Sequence, residues 1–80
     1  MLEIYSYGDN LDALNIKESQ LKQSGYQFEF DEKDDADGRD NIDTLRDELI
    51  NDGFDVIILK ARDRIRILSK KIDNQHALGQ

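Results

Sequence analysis

The sequence predicts one small α/β domain, residues 1–80, with a mixed four-stranded sheet and the element order β-α-β-α-β-β-α. Three observations carry that prediction. Val56-Ile57-Ile58-Leu59 is the only run of four strongly apolar, mostly β-branched residues, the pattern of a strand covered on both faces and therefore internal to a sheet. Tyr26-Gln27-Phe28-Glu29-Phe30 alternates aromatic and polar residues, the pattern of a strand with one buried face. Apolar residues at helical spacing occupy Leu11 to Leu21 and Ile42 to Leu49.

In chain order, Leu2-Glu3-Ile4-Tyr5-Ser6-Tyr7 sets Leu2 and Ile4 on one side and Tyr5 and Tyr7 on the other, as a strand with two usable faces. Gly8-Asp9-Asn10 breaks it. The first helix has two candidate starts, a cap at Asn10 or a cap at Asn15 with Glu18 three residues on, as in a capping box. Leu11, Leu14 and Leu21 share a face under either start. Gly25 suits the left-handed conformation just past a helix C-terminus. The aromatic strand follows, with Tyr26, Phe28 and Phe30 directed together at the core. Two strands joined through a helix form a βαβ unit, so these two should be parallel, adjacent or separated by one strand.

Residues 31–41 read as an acidic loop, because six carboxylates at that density disfavour regular structure. The second helix then starts from a cap at Asp40 or Asn41 and buries Ile42, Leu45, Leu49 and Ile50, and Asn51-Asp52-Gly53 stops it. After the central strand, a hairpin near Ala61 to Asp63 leads into an edge strand. Arg62, Arg64 and Arg66 face one way on it and Ile65 and Ile67 the other, basic residues being a common guard of an exposed edge. Residues 69–80 are expected to form a short helix capped by Ser69, or a frayed tail.

Composition excludes several functions. Without cysteine the chain has no disulfide, no thiolate nucleophile and no thiolate metal site, which fits an intracellular compartment. It has no signal-peptide pattern and no run near the ~20 apolar residues of a membrane span, so a soluble cytoplasmic protein is expected. The net charge of −7 is unevenly placed. Residues 1–54 carry 15 Asp and Glu against 5 Lys and Arg, net −10, whereas residues 55–80 carry 3 against 6, net +3. An acidic surface repels phosphates and membranes, so a protein is the expected partner and nucleic acid the lesser alternative.

The element order, the opening Ile4-Tyr5-Ser6-Tyr7, the passage from Leu21 to Gly25 into Tyr26-Gln27-Phe28-Glu29-Phe30, and the apolar strand at Val56 before a hairpin resemble the thioredoxin fold and its glutaredoxins. The resemblance implies a scaffold without that family's chemistry. Leu11-Asp12-Ala13-Leu14 stands where the redox C-x-x-C falls. Phe54-Asp55-Val56 contains no proline where the family has a cis-proline, and Leu68-Ser69-Lys70 lacks the paired glycines expected before the last helix. Thiol–disulfide exchange needs a thiolate and a second sulfur, so oxidoreductase activity is excluded. Glutathione binding, which leans on the same proline edge, is not expected.

Other chemistries fail at particular positions. Placing Gly38 at the sixth position of a calcium loop puts Lys33 first and Thr44 twelfth, where acidic ligands are required. His76 is the single histidine and has no second ligand or nucleophile near it in sequence. No G-x-S-x-G and no glycine-rich phosphate loop occurs, so neither an enzyme nor a cofactor is expected.

Two readings remain. In the first, the chain is a non-catalytic acidic interaction module or inhibitor, of the kind found among phage-type regulators of a host factor, acting through Asp31, Glu32, Asp34, Asp35, Asp37, Asp40, Asp43, Asp47 and Glu48. Its extreme form is carboxylates standing in for phosphates on a basic groove. In the second, Arg62, Arg64, Arg66, Lys70 and Lys71 bind nucleic acid or a phosphate ligand. A subunit of an assembly, dimerising through residues 64–68, is a third arrangement.

Overall fold

The computed structural model describes residues 1–72. It is a small α/β domain with two helices and a mixed four-stranded sheet: β1 (Leu2–Ser6), α1 (Leu11–Gln23), β2 (Gln27–Lys33), α2 (Ala36–Asn51), β3 (Phe54–Ala61) and β4 (Arg64–Lys71). The sheet order is β1-β3-β4-β2, with β1 parallel to β3 and both other pairs antiparallel. The expectation for residues 69–80 divides: 69–71 continue β4, and 73–80, with His76, lie outside the described residues.

β3 is internal, as its apolar run predicts. Val56, Ile57, Ile58 and Leu59 are all buried because each face of the sheet carries one helix. On one face Leu14 and Leu21 of α1 pack with Ile57, Leu59, Ala61 and Leu68. On the other, Ile42 and Leu49 of α2 pack with Val56, Ile58, Ile65 and Ile67. Alternate residues of a strand point to opposite faces, so one apolar run supplies both cores.

Local signals place the helix ends. Asn10 is the cap of α1, its side chain accepting from the Ala13 N–H at 3.0 Å. Gly25, at φ 96°, closes the C-terminus: its N–H donates to the Lys22 carbonyl, and the Tyr26 N–H donates to the Leu21 carbonyl, the paired bonds of a Schellman ending. In α2, Gly38, Ile42, Leu45 and Leu49 form the inward stripe, while Ile50, expected there, is exposed.

Four expectations are corrected. β1 and β2 run parallel in direction but lie at opposite edges, separated by two strands, because the β3–β4 hairpin inserts between them. β4 is not an edge; it pairs with β3 on one side and β2 on the other, and Arg64 and Arg66 there face acidic neighbours instead of guarding an edge. The aromatic alternation of β2 does not give one buried face. Phe28 opposes Leu68 while Phe30 opposes Ile67, so Glu29 is an extra residue, and the bulge turns Phe28 to the α1 face and Phe30 to the α2 face, 40% and 46% exposed.

The fourth correction concerns the acidic loop. Residues 31–33 belong to β2 and α2 begins at Ala36, which leaves only Asp34 and Asp35 between them. Asp35, not Asp40 or Asn41, is the helix cap, its Oδ1 accepting from the Gly38 N–H at 2.8 Å. Carboxylates at a helix N-terminus face the positive end of the macrodipole, so Asp35 and Asp37 favour the start that their mutual repulsion was expected to prevent.

Candidate functional site

The predicted acidic residues separate into two groups. α2 turns its stripe of Gly38, Ile42, Leu45 and Leu49 inward, so Asp37, Asp40, Asp43, Asp47 and Glu48 are left exposed on its solvent side, with Asp34 and Asp35 at its start. Asp34 is paired with Arg39 at 3.0 Å. Arg46 bridges Asp43 and Asp47, each at 3.0 Å, and the Asp47 hydrogen bond holds its guanidinium above its ordinary pKa. Among the described residues, Asp37, Asp40 and Glu48 make no ion pair. With Asp35 engaged as the helix cap, these three form the part of this surface that no described side chain compensates.

Asp31 and Glu32 lie elsewhere. Glu32 accepts from the Asn41 amide at 3.1 Å on the α2 face of the sheet. Asp31 opposes Arg66 across the β2–β4 ladder on the α1 face, and its carboxylate meets Arg64 Nη2 at 3.1 Å and Arg66 Nε at 3.6 Å. Arg66 also donates to Glu18 at 2.9 Å and to the Asn15 side chain at 2.6 Å. Burial disfavours the charged form of Glu18, but the hydrogen bonds from Lys22 and Arg66 outweigh it and hold the carboxyl below its ordinary range.

The basic residues are thus divided as well. A phosphate approaching β4 would compete with Asp31 and Glu18 for Arg64 and Arg66. Arg62 sits in the two-residue turn at φ 54°, donating to the Asp9 carbonyl at 3.1 Å. Lys70 reaches the Ser24 carbonyl at 3.0 Å and stands over the Tyr26 ring, and Lys71 is exposed.

No protein family, curated protein or solved structure matches the chain. Function therefore rests on the geometry. Leu14 is fully buried and Leu11 packs beside it, both serving the α1 core. Among the described residues no group of three His, Cys, Asp or Glu is arranged to hold a metal ion, and no helix is long and apolar enough to cross a membrane.

Sequence reasoning missed a groove of about 130 Å³ between β1 and α2, floored by Ile4, Ile42, Ile58 and Ile65 and rimmed by Arg46 and Lys60. It is below the ~300 Å³ at which small-molecule pockets begin. The groove exists because α2 lies over β2, β4 and β3 and leaves β1 uncovered. The signal available in the sequence was the pair Leu2 and Ile4, two large apolar residues on one side of a strand whose sheet position was open.

Proposed function

We propose that this chain is a non-catalytic acidic interaction module, built on a redox-inactive glutaredoxin-like scaffold, that docks the solvent side of α2 against a basic surface of another protein. The observation that carries the reading is the set of exposed carboxylates at Asp37, Asp40 and Glu48, uncompensated among the described residues, on a helix whose opposite stripe anchors it to the core. A rigid helix presents these charges at fixed spacing, so a basic partner gains steering and register without reordering this chain. Asp34, Asp35, Asp43 and Asp47 extend the surface. The element order through β4 supports the scaffold part of the reading, and the opposite-edge positions of β1 and β2 are its point of departure from a simple βαβ pairing.

The test replaces Asp37, Asp40 and Glu48 together by Asn, Asn and Gln. Captures from native lysate are compared between this variant and the parent chain at low and high salt. The reading requires one protein that is retained at low salt, released at high salt and lost with the variant, while the variant still melts cooperatively with no more than the small loss expected from neutralising Asp37 in the first turn of α2. Undiminished capture by the variant would exclude the α2 face.

A further inference from the structure

The two edges of the sheet differ in how they are protected. β2 is bulged at Glu29 and carries Asp31, Glu32 and Lys33, features that discourage pairing with another strand. β1 is five residues with no bulge, proline or lysine, and its Leu2 and Ile4 are 38% and 58% exposed.

The backbone of β1 also has a definite parity. The Met1 carbonyl accepts from the Val56 N–H at 2.9 Å, and the Tyr7 N–H donates to the Lys60 carbonyl at 2.9 Å, so the odd-numbered residues direct their polar groups at β3. Successive residues of a strand address opposite edges. The N–H and C=O of Leu2, Ile4 and Ser6 therefore point away from the sheet.

We infer that β1 pairs antiparallel with β1 of a second copy of this chain, about a two-fold axis at Ile4. Hydrogen-bonded pairs in an antiparallel ladder join residues whose polar groups face one another, so Leu2 opposes Ser6 of the second copy and Ile4 opposes its own equivalent. Each opposed pair exchanges both N–H···O bonds, and the two sheets become one. The side chains are self-complementary in this register. Glu3 opposes Tyr5 of the second copy, and within one chain the Tyr5 hydroxyl already donates to Glu3 at 2.8 Å while Lys17 Nζ stands 4.7 Å over the Tyr5 ring. The carboxylate meets a phenol with a cation behind it. Centring the axis on Glu3 instead forms fewer hydrogen bonds and sets the two Glu3 carboxylates against each other, a destabilising pair. On the α2 face Ile4 meets Ile4 beside the apolar groove, covering the side chain that the fold leaves bare.

A strand-edge contact of this length belongs to the weak class of interfaces, below about 1,200 Å². Each copy carries a net charge of −7, so screening by salt strengthens the pairing. Sedimentation of the full chain over a concentration series at low and high salt is the test. The expected result is a monomer–dimer equilibrium that shifts toward dimer at high salt and is weakened about tenfold by Ile4→Lys, which opposes two cations across the axis. Ile4 is exposed, and an unchanged melt verifies that this variant folds. A second measurement fixes the register. The chain has no cysteine, and directly opposed residues at a hydrogen-bonded position stand about 5.5 Å apart between Cα atoms, within disulfide range. Oxidised Ile4→Cys should cross-link to dimer. Leu2→Cys should not, because the axis separates the two equivalent positions by about 13 Å. A monomer under every condition, a dimer indifferent to Ile4→Lys, or equal cross-linking at both positions would overturn the inference, as would a monomer whose β1 captures only extended peptides.

Discussion

Gly38→Ala tests the packing that holds the acidic helix in place, and its sign is the informative part. In an ordinary helix interior this change stabilises by about 1 kcal/mol, because alanine is the better helix former. Gly38 is buried where α2 leaves β2, and an added Cβ would fall on the Lys33 carbonyl oxygen, with the Lys33 carbonyl carbon at 3.0 Å and Asp35 Oδ1 at 3.2 Å. That carbonyl belongs to the backbone at the end of a strand, so the first turn of α2 must move instead. Forced overpacking costs about 1–3 kcal/mol. Displacing the turn also loosens the 2.8 Å cap between Asp35 and the Gly38 N–H, worth about 1 kcal/mol. Set against the propensity gain, the net expectation is a loss of about 1–3 kcal/mol, or a fall in Tm of about 4–24 °C for a domain of this size. Urea denaturation of the two chains measures it directly. A Gly38→Ala chain as stable as the parent, or more stable, would refute the close approach and with it the fixed position of the α2 carboxylates.

Two further expectations concern the charge cluster between α1 and β4. Folding lowers the Glu18 pKa below its ordinary value of 4.5, so the stability this group contributes is full above that pH and is lost as pH falls through the lower folded value. Glu18→Gln should therefore flatten the acid limb of the stability curve, measured by thermal melts across the acid range, and an unchanged limb would contradict the pairing. Arg66→Met removes the cation shared by Glu18, Asn15 and Asp31, and should destabilise at neutral pH by about 1–3 kcal/mol. Combining it with Glu18→Gln should give less than the sum of the two losses, a non-additivity that a double-mutant cycle reads out.

The legible parts of the fold were those set by local chemistry or by an unbroken pattern. Val56 to Leu59 announced an internal strand because no polar residue had to be accommodated on either side. Gly25 and Gly53 marked helix ends, and both have the positive φ those endings require. What was not legible depended on contacts distant in sequence. The alternation from Tyr26 to Phe30 is real in the sequence, but a single bulge at Glu29 cancels its meaning, and no residue type there declares a bulge. Strand order was equally hidden. The alternation of Arg64 and Arg66 with Ile65 and Ile67 fits an edge strand or a paired one, and the choice is made by Asp31 on a strand more than thirty residues earlier. The acidic stretch misled for a related reason: repulsion was counted among its own residues, while cations reach it from Arg64 and Arg66 of β4 and Arg39 of α2, and its Asp35 caps the helix that follows.

The same accounting explains why the acidic surface sits on α2. The sequence is acidic in its first two-thirds and basic in its last third, and the β4 hairpin carries that basic third into the sheet between β3 and β2. Arg64 and Arg66 neutralise carboxylates within reach on the α1 side, Asp31 and Glu18, and their side chains do not extend through the sheet to the outer face of α2. Among the described residues, only Arg39 and Arg46, carried by α2 itself, offset charge there. The residual negative field is therefore a consequence of topology as much as of composition. It acts with opposite sign on the two associations proposed. Docking of α2 on a basic protein weakens as salt rises, whereas pairing of two acidic copies through β1 strengthens. A salt series on the isolated chain, followed by one with a basic partner present, separates the two surfaces without a mutation.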